Sequence, residues 1–193
     1  IWIDEEKSDF RIFGFNHYCN LTKKFFFSEE ILKIISEYMD CKMENIFTMA
    51  NRLSYVSNNK GSGGGWHRDS INPSMKALLY LVDVDIENGP LQLIKNSNQF
   101  SNILLDSRNM NIKNFLDTRY TNDQVKKIEK IDEKIVNLTY KKGTLIIFDG
   151  SNIHRGKPIS KNTRYAVTNY YFPIGKMSQE KYQVRPQIFD EKI

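Results

Sequence analysis

Residues 75–94 read MKALLYLVDVDIENGPLQLI, which is an apolar run, a turn sequence and a second apolar run. The runs are rich in the aliphatic and aromatic side chains that favour strands. Asn88-Gly89 between them is typical of a tight turn. This stretch predicts strands at Met75–Val84 and Gly89–Ile94, and it indicates that the protein is mostly β.

Four more stretches have the same character, and a helix precedes them. Ser28-Glu29-Glu30 leads into spaced apolar residues, and a capping serine followed by early acids is typical of a helix start. A helix over residues 28–40 is therefore expected to pack on the sheet. The additional strands are predicted at Ile46–Val56, Lys134–Tyr140, Gly143–Phe148 and Arg164–Phe172.

Many short strands with few helices define the expected fold class. We predict a mainly β protein with flanking helices, built as a double-sheet jelly roll or cupin-like barrel. The 193 residues, 40% of them hydrophobic, suit one domain over 1–193. Its core is expected at roughly 45–172, with the polar residues 97–131 as an insertion over the barrel mouth and a short helix at Thr121–Lys130.

The composition limits which binding partners and which cellular location are expected. The formal charge of +5 is a mild excess, so a protein that coats nucleic acid is not indicated. Cys19 and Cys41 lack the spacing of a zinc site and suit a reduced, cytoplasmic setting. No apolar run reaches the length of about 18 residues that a membrane span needs. The sequence begins at Ile1 and leaves open both a preceding segment and the oligomeric state.

Three residues have the chemistry of a metal site. His67 and Asp69 are two apart, so in extended backbone their side chains point to one side and can share an ion. His154 follows an apolar strand and a turn, where a third ligand can be delivered. Two imidazoles and a carboxylate form a facial triad on Fe(II), which leaves positions for a chelating cosubstrate and O2. Further on, the planar fork of Arg164 suits the distal carboxylate of 2-oxoglutarate.

Other segments accompany these residues. They are Gly65-Trp66-His67-Arg68-Asp69-Ser70, Ala77-Leu78-Leu79-Tyr80-Leu81 and Glu87-Asn88-Gly89-Pro90-Leu91. Together with His154 and Arg164, they resemble the phytanoyl-CoA dioxygenase (PhyH) family of iron and 2-oxoglutarate oxygenases over roughly Asn51–Phe172. The resemblance implies a double-stranded β-helix core.

The resemblance also implies roles for individual residues. His67, Asp69 and His154 would bind Fe(II), and Arg164 would grip the cosubstrate 2-oxoglutarate. Tyr80 matches a position that faces 2-oxoglutarate in relatives. Thr168 shares the side of Arg164 by strand parity and is a further candidate for that pocket.

The implied reaction consumes 2-oxoglutarate and O2, releases succinate and CO2, and hydroxylates or desaturates a C–H bond. Halogenating relatives lack the carboxylate that Asp69 retains, which disfavours halogenation. The family usually continues the Asn-Gly-Pro-Leu run into a Pro-Gly-Ser-His turn. This chain has Lys95-Asn96-Ser97-Asn98 there, so that turn chemistry is expected to be lost.

The expected substrate is a small polar metabolite, because no long apolar groove can be read from the sequence. Trp66, Arg68 and Ser70 are the candidate substrate residues, since they adjoin the ligands. The glycine-rich loop at 61–65 is flexible enough to gate the pocket.

Two alternatives stay open. A nucleic-acid demethylase of the same superfamily would share the triad, and Asn51 with Tyr55 faintly resembles that branch, although its second distal arginine is hard to place. A non-catalytic cupin-like binding module would use His67 and His154 structurally, and Asp69 would then cap backbone instead of facing them.

Overall fold

The computed structural model describes residues 1–71, 74–114 and 116–175. In these ranges the apolar runs form nine strands, and each pairing between them is antiparallel. The strands are β1 (Trp2–Ile3), β2 (Asp9–Phe13), β3 (Met43–Ser54), β4 (Met75–Tyr80), β5 (Leu91–Ile94), β6 (Ile135–Leu138), β7 (Leu145–Asp149), β8 (His154–Gly156) and β9 (Thr163–Pro173).

The strands form two sheets. The larger has six strands in the order β1-β2-β3-β9-β4-β7, and the smaller has three in the order β6-β5-β8. β3 and β9 pair along their whole length, from Met43 opposite Pro173 to Ser54 opposite Thr163. β9 therefore lies in the interior of the larger sheet, between β3 and β4.

A cluster of buried apolar side chains joins the two sheets. Two packed antiparallel sheets are the architecture of jelly-roll and cupin-like folds. The predicted class, mainly β with flanking helices, is confirmed. The cluster includes Leu78 of β4, Ile146 and Phe148 of β7, Ala166 of β9 and Leu91 of β5.

The six predicted strands are all present, with ends that differ by up to four residues. β4 stops at Tyr80 instead of Val84 because a turn begins there: the Asn88 side chain donates to the Asp83 carbonyl and accepts from the Asp85 N–H. β1, β2 and β8 were not predicted. They have only two to five residues, too few for a reliable alternation of apolar and polar side chains.

Helices cover one face of the larger sheet. They include α1 (Asn20–Phe26), which was not predicted, and α2 (Glu29–Met39). Ser28 caps α2 as its sequence suggests, because its hydroxyl accepts from the Ile31 N–H at 3.4 Å. Ile31 and Ile35 of α2 are buried together with Phe26 against Ala77, Val167 and Tyr171 of the sheet.

The polar segment 97–131 contains more helix than its sequence indicates. It forms α3 (Phe100–Asn109), which was not predicted, and α4 (Asn122–Val125), where Thr121 and Gln124 make a capping box. α5 (Ile131–Lys134) follows and leads into β6. A buried cluster that includes Trp66, Met110 and Tyr120 attaches the segment to the barrel. Of the predicted domain 1–193, residues 72–73, 115 and 176–193 lie outside the described ranges.

Across the described ranges, no helix combines the length and the apolar character needed to cross a bilayer. The cytoplasmic location stays a prediction.

Tyr171 provides a test of how α1 is held on the sheet. Its buried hydroxyl donates to the Phe26 carbonyl at 2.7 Å. We expect Tyr171→Phe to lower the free energy of unfolding by about 1–3 kcal/mol, because the carbonyl loses its partner in a buried place. Tyr165→Phe, at a 44% exposed tyrosine of the same strand, should change it little. Equal effects in urea denaturation would contradict this account.

Candidate active site

His67 and His154 are brought together by their own backbones. The His67 N–H donates to the His154 carbonyl at 2.9 Å, and the His154 N–H returns a bond to the His67 carbonyl at 2.8 Å. The Asp69 N–H donates to the Gly150 carbonyl at 3.0 Å, which extends the pairing. The two imidazole rings lie 4.3 Å apart between centroids. Residues far apart in sequence thus present their side chains on one side of a short antiparallel pair.

Both imidazoles are fixed with the same nitrogen, Nε2, unprotonated. His67 Nδ1 lies 2.9 Å from the Gly65 carbonyl, and His154 Nδ1 lies 2.9 Å from the Asn152 carbonyl. Because a carbonyl can only accept, Nδ1 must carry the proton in each ring. Nε2 of each neutral ring keeps its lone pair, as a metal ligand requires.

Asp69 completes the group. Its Oδ1 lies 3.7 Å from His67 Nε2 and 3.8 Å from His154 Nε2, and the three ligand atoms lie within 4.8 Å of one another. Gly150 leaves room for the carboxylate, because a Cβ there would lie 2.5 Å from Asp69 Oδ2. Two neutral imidazoles and one carboxylate form the donor set of a facial triad, so the site fits Fe(II).

The protonation states of these residues suit a metal. Burial, helped by the nearby Lys76 ammonium, lowers the pKa of His67 to about 4 and that of His154 well below its ordinary value. For Asp69, burial opposes the charge, but the Lys76 ammonium and the two histidines together outweigh burial and hold the pKa of the carboxyl below its usual value. At neutral pH the site therefore offers two lone pairs and one negative charge.

A lysine that the sequence analysis did not single out lies against these ligands. Lys76 Nζ is 2.5 Å from Asp69 Oδ2 and 3.3 Å from His154 Nε2, with a side chain only 7% exposed. The signal that could have identified it is one charged residue inside the apolar strand Met75–Tyr80, seven positions after Asp69.

Arg164 is held by a chain of polar contacts across three strands. Its guanidinium donates to the Gly89 carbonyl and, at 3.0 Å, to Asn51 Oδ1. The Asn51 amide donates in turn to Asp9, which also pairs with Arg11 at 2.5 Å. Arg164 Nε is buried and has no hydrogen-bond partner in the described part of the chain. Arg164 is thus positioned by its Nη atoms, while the Nε–H makes no hydrogen bond within the described residues.

The ligands and Arg164 open onto one cavity of about 750 Å³. Thr168 and Ser70, both predicted as site residues, also line it, as do Lys76 and Arg119. Asp69 is the one acid among the described lining residues, whereas the basic ones are Arg11, Arg68, Lys76, Arg119 and Arg164. The volume lies in the usual range for small-molecule sites.

The structure does not bring Trp66 to this cavity and ties Arg68 back into the protein. Trp66 is 3% exposed in the cluster beneath segment 97–131. The Arg68 guanidinium donates to the Ser97 and Ser151 carbonyls and to the Tyr120 hydroxyl, so only part of this side chain reaches the cavity wall. The reason is strand alternation: if His67 and Asp69 point one way, their neighbours point the other.

Tyr80 is likewise placed away from the cavity. It shares the strand face of Lys76 and Leu78 but lies beyond them, where its hydroxyl donates to the Leu138 carbonyl at 3.0 Å and accepts from the Leu91 N–H at 2.9 Å. These contacts join β4 to the smaller sheet. Tyr80 is therefore a packing residue rather than part of the cavity wall.

Residues 95–98 form a turn, although their sequence differs from the family's usual Pro-Gly-Ser-His. That the family's turn chemistry is lost stays a prediction. Asn96 adopts a φ of 59°, the left-handed conformation that a glycine takes readily. The Ser97 hydroxyl donates to the Ile94 carbonyl and accepts from the Ile153 N–H, each at 2.7 Å. Asn96 thus stands where the family has glycine, and the Ser97 hydroxyl ties the end of β5 to Ile153.

Comparison with known families decides the assignment. The profile of the phytanoyl-CoA dioxygenase (PhyH) family matches residues 7–166. The chain belongs to this family. The predicted PhyH membership is thus confirmed, and it supports an enzyme of the iron and 2-oxoglutarate-dependent superfamily. A sequence comparison with curated proteins found no match for this PhyH-family chain.

Solved structures share the fold at low sequence identity. The alpha-ketoglutarate-dependent epimerase SnoN from nogalamycin biosynthesis has a TM-score of 0.61 at 11% identity, over 89% of this chain and 64% of SnoN. HygX from Streptomyces hygroscopicus, with nickel and 2-oxoglutarate bound, gives 0.62 at 14%, over 90% of this chain and 73% of HygX. EctD from S. alaskensis, with bound Fe, has a TM-score of 0.58 at 16% identity, over 84% of this chain and 56% of EctD. The double-stranded β-helix predicted for this PhyH-family chain is confirmed, and the chain spans about two thirds of the length of SnoN.

Two neighbouring glycines test whether the 61–65 loop positions His67. A Cβ at Gly63 would lie 2.4 Å from His67 Cε1, whereas one at Gly64 would meet only Arg119 at 3.6 Å. Both residues have positive φ, 90° and 71°, so alanine strains the backbone in each by about 1–2 kcal/mol. We expect Gly63→Ala to weaken metal binding at least tenfold in calorimetry and Gly64→Ala to leave it nearly unchanged. Equal losses would show that the loop does not set the ring.

The buried imidazoles predict a loss of stability in acid for the metal-free protein. Folded His67 takes up a proton near pH 4 and unfolded His67 near pH 6.5, so the unfolded chain gains protons first as the pH falls through this window. We expect the urea midpoint to fall between neutral pH and about pH 5, and less so in His67→Gln. His17→Gln, at an exposed histidine, is the control. An unchanged pH dependence in His67→Gln would contradict the account.

Proposed function

We propose that this chain is an Fe(II)- and 2-oxoglutarate-dependent dioxygenase that hydroxylates a C–H bond of a small polar metabolite, with release of succinate and CO2. The observation that carries the proposal is the meeting of Asp69 with two unprotonated Nε2 atoms at 3.7 and 3.8 Å, in a cavity that also holds Arg164. In this proposal His67, Asp69 and His154 bind the metal. When bound, iron would supply the activation of O2.

The remaining cavity residues are assigned to binding and orientation. Arg164 is proposed to grip the distal carboxylate of 2-oxoglutarate, since a buried, pre-positioned guanidinium with a free donor suits a planar anion. Thr168 lies on the same strand face and lines the same cavity. Ser70 and Arg119 are polar residues on the cavity wall and are proposed to orient a substrate.

The residues around the ligands are also proposed to exclude water from the cavity. The aromatic rings of Phe148 and Tyr170 line the cavity beside the ligands, and Phe148 packs edge-on against His154 at 5.4 Å. Thr118 and Arg119 of segment 97–131 line the same cavity. The barrel and this covering segment are therefore proposed to act together as one oxygenase domain.

A small-molecule substrate is supported by the similar structures and by the cavity. HygX has been crystallised with hygromycin B, and SnoN with nogalamycin RO, so these similar folds accept small molecules. SnoN is an epimerase and SnoK a carbocyclase, which makes the outcome of the reaction a separate question from its cofactors. Hydroxylation is proposed ahead of desaturation as the simplest outcome, and mass analysis of the product distinguishes them.

Neither alternative from the sequence gains support. Asn51, which would favour a nucleic-acid demethylase, is buried and occupied with Arg164 and Asp9, and Tyr55 is 55% exposed. Asp69, which a non-catalytic module would use to cap backbone, faces the two imidazoles instead. A small-molecule substrate therefore stays the proposal.

Anaerobic titration of Fe(II) with 2-oxoglutarate tests the proposed function. The chelated complex gives a weak visible charge-transfer band, which we expect in the wild type. Asp69→Ala should abolish it because the metal loses its anionic ligand, while Asp83→Ala, at an exposed carboxylate, should retain it. A wild type without the band would refute the oxygenase assignment and favour the binding module.

A further inference from the structure

The buried ammonium of Lys76 has no role in the function proposed so far, yet it lies at the centre of the candidate site. Nζ contacts two of the three ligand side chains, Asp69 Oδ2 at 2.5 Å and His154 Nε2 at 3.3 Å. Any cation bound through His154 Nε2 would therefore be a near neighbour of Nζ. Two positive charges would then share one small, water-poor space.

Lys76 is firmly placed there by the sheet. It is flanked in β4 by Phe148 of β7 on one side and by Tyr170 of β9 on the other. The ammonium lies 4.8 Å from the Tyr170 ring centroid and 5.7 Å from that of Phe148, where the ring faces favour a cation. Only 7% of the side chain is exposed, so the charge cannot reach bulk water without leaving this surrounding.

The counter-ion of Lys76 is the carboxylate that the metal needs. Asp69 is the one acid among the described residues lining the cavity, and the nearby Arg11 is already paired with Asp9. Once a metal takes the charge of Asp69, Lys76 is left buried beside a dication without an anion. A buried charge that loses its partner is strongly unfavourable, so the complex requires a new anion at this place.

We propose that Lys76 makes metal binding conditional on the keto acid: it neutralises Asp69 in the metal-free protein and pairs with a carboxylate of 2-oxoglutarate in the loaded one. The inference rests on the proposed function. Arg164 accounts for one carboxylate of this dianion, and Lys76 for the other, at the metal side of the cavity. Metal and 2-oxoglutarate then bind cooperatively, each raising the affinity for the other by the same factor.

Equilibrium titration of the purified protein with Fe(II), under anaerobic conditions, tests this inference. The metal affinity is measured with and without saturating 2-oxoglutarate for the wild type, Lys76→Met and Lys76→Gln. Methionine fits an apolar surrounding and glutamine keeps a polar end, so one neutral variant is available if the other fails to fold. Lys141→Met, at an 86% exposed lysine, is the matched control.

The neutral variants should bind Fe(II) alone at least tenfold more tightly than the wild type, which corresponds to about 1.4 kcal/mol. The factor by which 2-oxoglutarate improves metal affinity should fall by a similar amount, and Lys141→Met should behave as the wild type. Unchanged affinity and an unchanged factor in both variants would overturn the inference while leaving the proposed function intact.

Two further outcomes separate the inference from the proposed function. If no variant binds Fe(II) with or without 2-oxoglutarate, the proposed function fails and this inference fails with it. In another outcome, only the neutral variants bind the metal, and 2-oxoglutarate does not restore metal binding to the wild type. The Lys76 ammonium then occupies the metal position permanently. That result would also overturn the conditional role.

Discussion

The pair of backbone hydrogen bonds between His67 and His154 is the interaction on which the site depends. It joins the segment after the glycine-rich loop to the start of β8, and it sets the two rings 4.3 Å apart between centroids. Carbonyl groups of Gly65 and Asn152 then fix each ring with Nε2 free. The ligand geometry is thus a property of main-chain pairing, which few side-chain changes can disturb.

Strand parity explains how much of the site could be predicted from the sequence. The spacing of His67 and Asp69 placed them on one side, and the same alternation could have excluded Trp66, which was chosen by adjacency alone. Tyr80 was assigned by resemblance, but whether its side chain faces the cavity or the smaller sheet depends on where that sheet lies. No local pattern in one sequence carries that information.

The strands and turns of the fold also differ in how far the sequence could predict them. Long strands such as β3 and β9 were predicted because their apolar and aromatic content extends over eleven or more residues. β8 has three residues, and its pairing with β5 arises only when the barrel closes. The turn at Asn96 shows the reverse case, since asparagine in the left-handed region replaces the expected glycine. Pairing partners and substituted turns are consequences of tertiary structure.

The most direct test of the central claim is a crystal structure of the complex with metal and 2-oxoglutarate. The complex is prepared anaerobically, and the metal is located by its anomalous scattering. The account predicts a peak bound by Nε2 of both histidines and by the Asp69 carboxylate, with a carboxylate of 2-oxoglutarate at Arg164 and Lys76 Nζ released from Asp69. A cavity without a peak, in which Lys76 Nζ still lies between Asp69 and His154, would contradict it.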